Sequence, residues 1–304
     1  MRISERFVLI CVLTSGLIAP AAAFDGKADI DLYRPSNGTW YIKQSVANYS
    51  TFLIQAFGLS TDTPVSGDYD GDGKADLAVY RPSNGTWYVL KSSTNFATVL
   101  IQAWGASTDL PAPGDYDGDG KTDFGVFRPS TGTWYVLLSG ANYSTTIIQA
   151  FGVNGDIPLP GDYDGDGKAD LGLYRPGDGK WYVLKSSTNF ATVIIQQWGL
   201  TSDTAVPGDY DGDGKIDPAV YRPSTGVWYL LQSSTNYATY VAQSWGLSTD
   251  TTVPGDYDGD GKTDLGLYRP STGQWYLLTS GSNYTTFIGQ AWGLSTDTPL
   301  LKRP

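Results

Sequence analysis

One eight-residue string recurs along this chain at a fixed interval, and that interval limits the folds open to it. The string Gly-Asp-Tyr-Asp-Gly-Asp-Gly-Lys starts at Gly67, Gly114, Gly161, Gly208 and Gly255, so successive copies are 47 residues apart without insertion or deletion. A partial sixth copy occupies residues 24–29. A constant period of this size is typical of a solenoid, a propeller or another repeat array. The sequence therefore predicts six units, which start near residues 24, 67, 114, 161, 208 and 255.

Each unit has the pattern of four short β-strands with almost no helix. In the unit that covers residues 63–109, extended segments are expected at 64–69, 76–81, 87–91 and 97–104. Asn84-Gly85 separates the second segment from the third, and Asn-Gly is the strongest short signal for a β-hairpin. No window has the apolar period of 3.6 residues that an amphipathic helix needs.

The apolar pattern favours a closed six-bladed β-propeller over an open β-array, which is the alternative. Strands such as 77–80 (Leu-Ala-Val-Tyr) are apolar on both faces, so each sheet needs cover on both sides. A propeller supplies that cover because each blade packs between two neighbours. Residues 298–301 align with residues 63–66, the first strand of a unit, whereas the first unit lacks that strand. We therefore expect the C-terminal strand to complete the first blade and close the ring.

Residues 1–23 have the pattern of an export signal. Arg2 and Arg6 flank the start, residues 7–18 are apolar, and Ala21-Ala22-Ala23 offers a small-residue cleavage site. No later segment has the roughly 20 apolar residues of a membrane span. We therefore expect a propeller of residues 24–304 that is secreted to the extracellular space or the periplasm. Cleavage would remove the single Cys and the single Met, so disulfides cannot stiffen this domain.

The acidic repeat has the spacing of a calcium loop. Asp68, Asp70, Asp72 and Asp76 occupy positions 1, 3, 5 and 9 of a tight loop, and Lys74 can add its backbone carbonyl. Hard oxygen ligands in this number suit Ca²⁺, and clustered carboxylates repel one another without a cation. Position 12 is not Glu and no helix signal flanks the loop, so an EF-hand is not expected. A solvated acidic turn is the alternative.

The same ligand set is expected in five units, which predicts about five Ca²⁺ ions. The predicted ligands, with each Lys acting through its carbonyl, are Asp68, Asp70, Asp72, Lys74, Asp76, Asp115, Asp117, Asp119, Lys121, Asp123, Asp162, Asp164, Asp166, Lys168, Asp170, Asp209, Asp211, Asp213, Lys215, Asp217, Asp256, Asp258, Asp260, Lys262 and Asp264. The first unit keeps Asp25 and Asp29, but alanines replace its other two aspartates. A weak or empty sixth site is expected there.

These loops, each followed by a β-rich strand, resemble the FG-GAP/VCBS repeats. The Phe-Gly element of that family appears at Phe57 and Phe151, and Trp-Gly replaces it at Trp104, Trp198, Trp245 and Trp292. The resemblance covers all six units. It implies a calcium-binding β-propeller of the kind found in integrin α-chains, fungal lectins and bacterial exported proteins. It does not specify a ligand, because one fold hosts different functions.

Three further sixfold sets have structural interpretations. One set is expected to pack between blades rather than stack on sugars, and it consists of Trp40, Trp87, Trp134, Trp181, Trp228 and Trp275. A second set is expected to pair with nearby carboxylates or turn carbonyls rather than bind anions, and it consists of Arg34, Arg81, Arg128, Arg175, Arg222 and Arg269. A third set is expected to cap turns, and it consists of Asp62, Asp109, Asp156, Asp203, Asp250 and Asp297.

Catalysis is not expected, and no catalytic residue is predicted. The chain has no His, which excludes His-ligated zinc and Ser-His or Cys-His catalysis. Outside the repeated sets, only Asp31 and Asp178 interrupt the acidic pattern, and Asp178 lies in a hairpin turn. Asp31 is then a single acid, whereas glycosidases generally use two. A glycoside-acting enzyme is a remote alternative.

The expected function is that of a calcium-dependent binding module. A net charge of −11 without a Lys/Arg block disfavours nucleic acid and anionic membranes. The repeated units and the aromatic content favour recognition of carbohydrates or cell surfaces, since several weak sites on one chain gain avidity. The chain is expected to be a monomer. A calcium-rigidified structural or protein-adhesion scaffold is the alternative, because no unit carries a cluster that marks a site. The expected partners are glycans or cell-surface proteins, and no ligand-binding residue is assigned.

Overall fold

The computed structural model describes residues 25–300, which form six four-stranded antiparallel sheets. These sheets are the blades of a six-bladed β-propeller, as predicted. Residues 1–23, where an export signal is predicted, lie outside the described residues. Within residues 25–300, no helix is long and apolar enough to cross a membrane.

The first blade consists of β1 (Ile30–Arg34), β2 (Thr39–Gln44), β3 (Thr51–Ala56) and β24 (Thr298–Pro299). The second consists of β4 (Thr63–Pro64), β5 (Leu77–Arg81), β6 (Thr86–Leu90) and β7 (Val99–Ala103). The third consists of β8 (Leu110–Pro111), β9 (Phe124–Arg128), β10 (Thr133–Leu137) and β11 (Thr146–Ala150).

The fourth blade consists of β12 (Ile157–Pro158), β13 (Leu171–Arg175), β14 (Lys180–Leu184) and β15 (Val193–Gln197). The fifth consists of β16 (Thr204–Ala205), β17 (Ala219–Arg222), β18 (Val227–Leu231) and β19 (Tyr240–Ser244). The sixth consists of β20 (Thr251–Thr252), β21 (Leu265–Arg269), β22 (Gln274–Leu278) and β23 (Phe287–Ala291). Short 3-10 helices occupy Ser45–Ala47, Ser92–Thr94, Ser186–Thr188 and Ser233–Thr235.

Two predicted strands are longer than the observed ones, and the second blade shows why. The first strand was expected at 64–69, but β4 ends at Pro64; only an isolated bridge between Gly67 and Asp76 follows, and the Tyr69 N–H then bonds to the Asp76 side chain. The fourth was expected at 97–104, but β7 starts at Val99. The chain turns just before it, since Asn95 and Phe96 have left-handed φ of 53° and 60°.

The core lies between blades rather than inside one sheet. Between the second and third blades, Trp87 and Val89 pack with Phe124 and Val126, all fully buried. The Trp87 indole N–H donates to the Trp104 carbonyl at 2.9 Å. All six tryptophans of this set are fully buried with the same type of bond, so the prediction of inter-blade packing is confirmed.

The ring closes through the last described strand. In β24, Thr298 pairs with Tyr33 and Pro299 pairs with Leu32 of β1. The Leu300 N–H then donates to the Asp31 carbonyl at 3.0 Å. The predicted completion of the first blade by the C-terminal strand is therefore confirmed.

Candidate metal centres

The acidic loops lie between the first and second strands of each blade, and their own backbone shapes them. In the second blade, one carboxylate oxygen of Asp68 accepts the N–H of Gly71 at 2.6 Å and the other accepts the N–H of Gly73 at 2.8 Å. Both glycines have positive φ, 81° and 82°, which side chains with a Cβ rarely adopt. The Asp-x-Asp-Gly-Asp-Gly pattern therefore folds into a loop that turns its carboxylates inward.

The structure gathers three carboxylates in each of the five predicted units. In every cluster, one oxygen from each residue lies within 4.8 Å of the others. The clusters are Asp68, Asp70 and Asp76; Asp115, Asp117 and Asp123; Asp162, Asp164 and Asp170; Asp209, Asp211 and Asp217; and Asp256, Asp258 and Asp260.

The fourth aspartate of each predicted set is placed differently from these three. In the first four clusters the aspartate at position 5 is exposed and lies outside the cluster; in the last, that aspartate takes part and Asp264 does not. Asp72 accepts the Lys74 N–H at 2.9 Å, which holds the backbone of Lys74 beside the loop. Ligation by Lys74 and its equivalents through the carbonyl stays a prediction.

Burial disfavours the ionised form of the most deeply buried aspartate in each loop. Asp76 is fully buried, and its oxygens accept the N–H groups of Tyr69 at 2.9 Å and Ser92 at 2.7 Å. Burial raises the pKa of Asp76 to about 6 despite these hydrogen bonds. Burial has the same effect, to about 6, on Asp123, Asp170, Asp217 and Asp264. A bound cation would favour the charged form and offset this cost.

Two sites hold a buried carboxylate oxygen without a hydrogen-bond partner. These oxygens are Oδ1 of Asp70 and Oδ1 of Asp164. Leaving a buried charged acceptor unsatisfied costs more than the gain from an ordinary hydrogen bond. A hard cation within each cluster would satisfy both oxygens, so the donor set fits Ca²⁺.

Sequence reasoning missed the serines that brace these loops. The Ser92 hydroxyl donates to Asp72 at 3.0 Å, and the Ser93 hydroxyl donates to Asp70. Both serines start the 3-10 helix after the third strand, 16 and 17 residues beyond Asp76. A Ser recurs at the position of Ser92 in every unit, and this recurrence was the signal that could have identified it; the position of Ser93 is Ser in only three units.

The first unit has a different acidic loop from the other five, and its weak or empty metal site stays a prediction. Asp25 and Asp29 both accept the Ser45 hydroxyl, at 2.9 and 2.8 Å. Among residues 25–300, no third carboxylate joins them in a cluster. Asp178 is a turn residue, as predicted, and its side chain accepts the Lys180 N–H at 3.1 Å.

The repeated arginines pair with the repeated linker aspartates. Arg81 donates to both oxygens of Asp62, at 2.8 and 2.7 Å, and lies over the Tyr88 ring at 4.3 Å. Asp62 also accepts the Leu59 N–H at 2.9 Å, so it caps its turn as predicted. The other pairs are Arg34–Asp297, Arg128–Asp109, Arg175–Asp156, Arg222–Asp203 and Arg269–Asp250. Because each guanidinium is already paired, an anion-binding face is disfavoured.

The tryptophans that precede glycine lie half-buried at the outer rim of the ring. Three of them contact an exposed aromatic side chain of the next blade in the ring. The ring centroids are 5.1 Å apart for Trp198 and Tyr240, 5.4 Å for Trp245 and Phe287, and 5.5 Å for Trp292 and Phe52. Trp104 has no such aromatic partner, because Thr146 occupies the matching strand position.

The chain is similar to one family and to several solved propellers. A family model described as FG-GAP-like repeat matches residues 68–126 and 115–173. No curated protein matches the sequence. A lectin from Agrocybe aegerita, described as recognising non-reducing terminal N-acetylglucosamine, has a TM-score of 0.53 and 14% identity, covering 87% of this chain and 76% of the lectin.

Two other solved structures share the fold. A BBS1N domain in complex with ARL6DN has a TM-score of 0.52 and 11% identity, covering 90% of this chain and 79% of the domain. A streptogramin B lyase has a TM-score of 0.50 and 9% identity, covering 90% of this chain and 85% of the lyase. At such identities the likeness extends to the fold alone, and it spans a lectin, a protein-binding domain and an enzyme.

Proposed function

We propose that this chain, whose residues 68–173 match the FG-GAP-like repeat model, is an exported binding module with blades stiffened by about five Ca²⁺ ions. The observation that carries the calcium proposal is the set of five carboxylate clusters, two of which contain a buried oxygen without a partner. Asp68, Asp70 and Asp76 would hold the ion of the second blade. The bound ion would supply the positive charge that lets these carboxylates stay ionised together.

Calcium titration tests this proposal directly. The purified chain, stripped with EDTA, is titrated with CaCl₂ by calorimetry and melted with and without the ion. We expect about five ions per chain, and about 2.7 kcal/mol of stabilisation per site at a hundredfold excess over Kd. Asp70→Asn should remove one site, whereas the turn variant Asp178→Asn should remove none. The absence of both heat and stabilisation would contradict the proposal.

We further propose that the bound partner is a glycan, held at the outer rim between blades. The supporting observation is the set of three aromatic pairs at the outer rim, Trp198–Tyr240, Trp245–Phe287 and Trp292–Phe52. Each combines a half-buried tryptophan with an aromatic side chain that is more than half exposed. Aromatic rings offer sugars an apolar surface and, in tryptophan, a polar edge. A lectin that shares the fold is described as recognising non-reducing terminal N-acetylglucosamine, which supports a sugar as the ligand. Three equivalent sites would gain avidity on a repetitive glycan.

A glycan array, run in millimolar calcium and again in EDTA, separates this proposal from protein adhesion. Glycan binding should weaken with Tyr240→Ala and Phe287→Ala, which remove exposed rings. Thr146→Ala is the matched control, since it alters the same strand position beside Trp104, where no aromatic pair exists. If the chain binds no glycan on the array but melts cooperatively, which shows that it is folded, the result would favour the protein-adhesion scaffold instead.

A further inference from the structure

One of the three aromatic pairs at the outer rim has a lysine beside it. In the pair of Trp292 and Phe52, the ring centroids are 5.5 Å apart. Lys43 on β2 pairs directly with Phe52 on β3, and its Nζ lies 5.7 Å from the centre of the Trp292 ring. Among residues 25–300, no other lysine lies over an aromatic ring. This rim pair therefore has a cation that the other two lack.

The lysine is a departure from the repeat. The other five blades have leucine at this strand position, and these residues are Leu90, Leu137, Leu184, Leu231 and Leu278. Leu231 pairs with Tyr240, the exposed ring of one rim pair. Leu278 pairs with Phe287, the exposed ring of another. A charged group therefore replaces a leucine beside one exposed ring and leaves the equivalent places unchanged.

No carboxylate of the described chain neutralises this lysine. Lys43 is half-buried, and its ammonium donates one hydrogen bond, to Oε1 of Gln290 at 2.7 Å. Within residues 25–300, every ion pair closer than 4.0 Å involves a different cation. An ammonium has three N–H donors, so two remain for a ligand. Burial lowers the pKa of Lys43, and a bound anion would favour its charged form.

We propose that the Trp292–Phe52 pair binds a hexuronic acid, the class of sugar whose ring carries a carboxylate. This inference rests on the proposal that the rim pairs bind glycans. The apolar face of the sugar would stack on the Phe52 ring, which belongs to a residue that is 52% exposed. Paired residues on neighbouring strands have Cβ atoms about 5 Å apart. A sugar on Phe52 therefore brings a carboxylate attached to its ring within reach of Lys43.

The other charges of the molecule leave this site as the place for the acidic sugar. Each repeated arginine is already paired with an aspartate, so it has no free charge to offer. The net charge of −11 repels anions at long range, but salt at about 0.1 M screens exposed charges beyond about 10 Å. A direct contact with Lys43 is shorter than that distance. The ring would then have one acid-selective rim site and two rim sites for neutral sugar.

Two sugars that differ only at C6 test this inference. The purified full chain, saturated with calcium, is titrated by calorimetry with methyl β-D-glucuronide and, separately, with methyl β-D-glucoside in about 0.1 M NaCl. We expect one tight glucuronide site per chain, with an affinity about tenfold higher than that for the glucoside, because hydrogen bonds between charged groups are stronger than neutral ones. The difference should shrink in about 1 M NaCl, which screens the charges.

Substitutions at the pair locate the site. Lys43→Leu introduces the residue of the other five blades, so it fits the fold; it should abolish the preference for glucuronide and leave the glucoside affinity unchanged. Lys43→Arg should keep the preference. Phe52→Val, which copies Val99, should abolish the tight site. Lys91→Leu is the matched control, since it copies Leu138 and removes the same charge from a blade without an aromatic rim pair; both affinities should stay unchanged.

The outcomes separate this inference from the glycan proposal on which it rests. Equal affinity for the two sugars, or a preference for glucuronide that survives Lys43→Leu, would overturn the inference and leave binding of neutral glycans standing. A loss of preference in Lys91→Leu as well would show an effect of net charge and would also overturn it. If neither sugar binds at millimolar concentration, the inference fails, and the glycan proposal fails with it when the glycan array shows no binding either.

Discussion

At the scale of single residues, the aspartates are of two kinds: those that gather on one acidic loop and those that each pair with an arginine. The loop aspartates were predictable because alternation on a short loop brings their oxygens together whatever the surrounding fold. The partner of Arg81 was not predictable in the same way. Asp62 lies 19 residues before Arg81, and only the antiparallel pairing of β4 with β5 brings the two together. Tertiary geometry therefore decides which carboxylate each arginine contacts.

Replacing Arg81 with Met should destabilise the protein strongly. Asp62 has no exposed side-chain surface, so Arg81→Met leaves a buried carboxylate without its cation. Removing one partner of a buried ion pair costs about 3–5 kcal/mol. Lys180→Met breaks the exposed pair with Asp178, whose side chains are 38% and 35% exposed, and should cost less than about 1 kcal/mol. Urea unfolding in saturating calcium measures both, and equal effects would contradict the argument.

At the scale of one blade, turns were easier to predict than strand ends. The Asn84-Gly85 turn was predicted from two residues and indeed joins β5 to β6. The ends of β4 and β7 were not, because the apolar pattern continues past the point where the ladder stops. Beyond β4, the Tyr69 N–H donates to the Asp76 side chain, whereas in a longer strand it would have bonded to a neighbouring strand. Hydrophobic periodicity does not reveal which backbone N–H groups bond to side chains, so it cannot predict such strand ends.

Gly85→Ala tests the hairpin that joins the second and third strands of a blade. Gly85 has a φ of +61°, and an added Cβ would collide with the backbone carbonyl of Gly105. Since that carbonyl belongs to the linker into the next blade, the collision cannot be relieved locally. We expect a loss of more than about 1 kcal/mol in urea unfolding. Gly177→Ala is the control, because Gly177 has open space and no positive φ, and an equal loss there would refute the steric explanation.

At the scale of the whole molecule, the ring was predictable because the two ends of the sequence align with complementary parts of one repeat. The meaning of the irregular residue on β1 was not predictable. Asp31 was recognised as irregular, but only the structure shows that the equivalent residue of the second blade, Ala78, is buried in one cluster with Tyr69 of the acidic loop. An irregular residue in a repeat can be interpreted only after the neighbours of the equivalent residue in the regular units are known.

Shortening the chain after Asp297 should open the ring. The truncation removes β24 and also Leu300, which is buried against Tyr33 and Trp40. Burying a leucine side chain contributes about 2 kcal/mol, and the exposed edge of β1 invites pairing with other chains. We expect the melting temperature to fall by at least about 5 °C. Gel filtration should show dimers or larger species, and an unchanged monomer of unchanged stability would show that β24 does not hold the ring.

Alkaline pH should weaken the ring as a whole. Burial raises the pKa of Tyr33, Tyr80, Tyr174 and Tyr221 to about 12, and it also raises the pKa of Tyr268. A raised pKa means that the folded chain keeps protons that the unfolded chain releases above pH 10. Stability is therefore complete below about pH 10 and falls as the pH rises towards 12.

Tyr80→Phe provides the measurement for this pH dependence. The Tyr80 hydroxyl donates to the Ala106 carbonyl at 2.6 Å, a bond that the ionised form cannot make. Phe127 already occupies the same position in the third blade, so the substitution is compatible with the fold. Urea unfolding between pH 9 and pH 12 should show a slope reduced by about one proton in the variant. An identical slope would mean that Tyr80 does not contribute.

The pairing of β24 with β1 also sets an order of events during synthesis. The ribosome makes β1 well before β24, so the first blade must wait as three strands while about 240 residues (57–297) follow. Throughout that interval the nascent chain presents an unpaired strand edge, the kind of edge that recruits foreign strands. Rapid completion of synthesis, or a chaperone that shields the edge, should therefore govern the yield of correctly folded protein more than the final stability does.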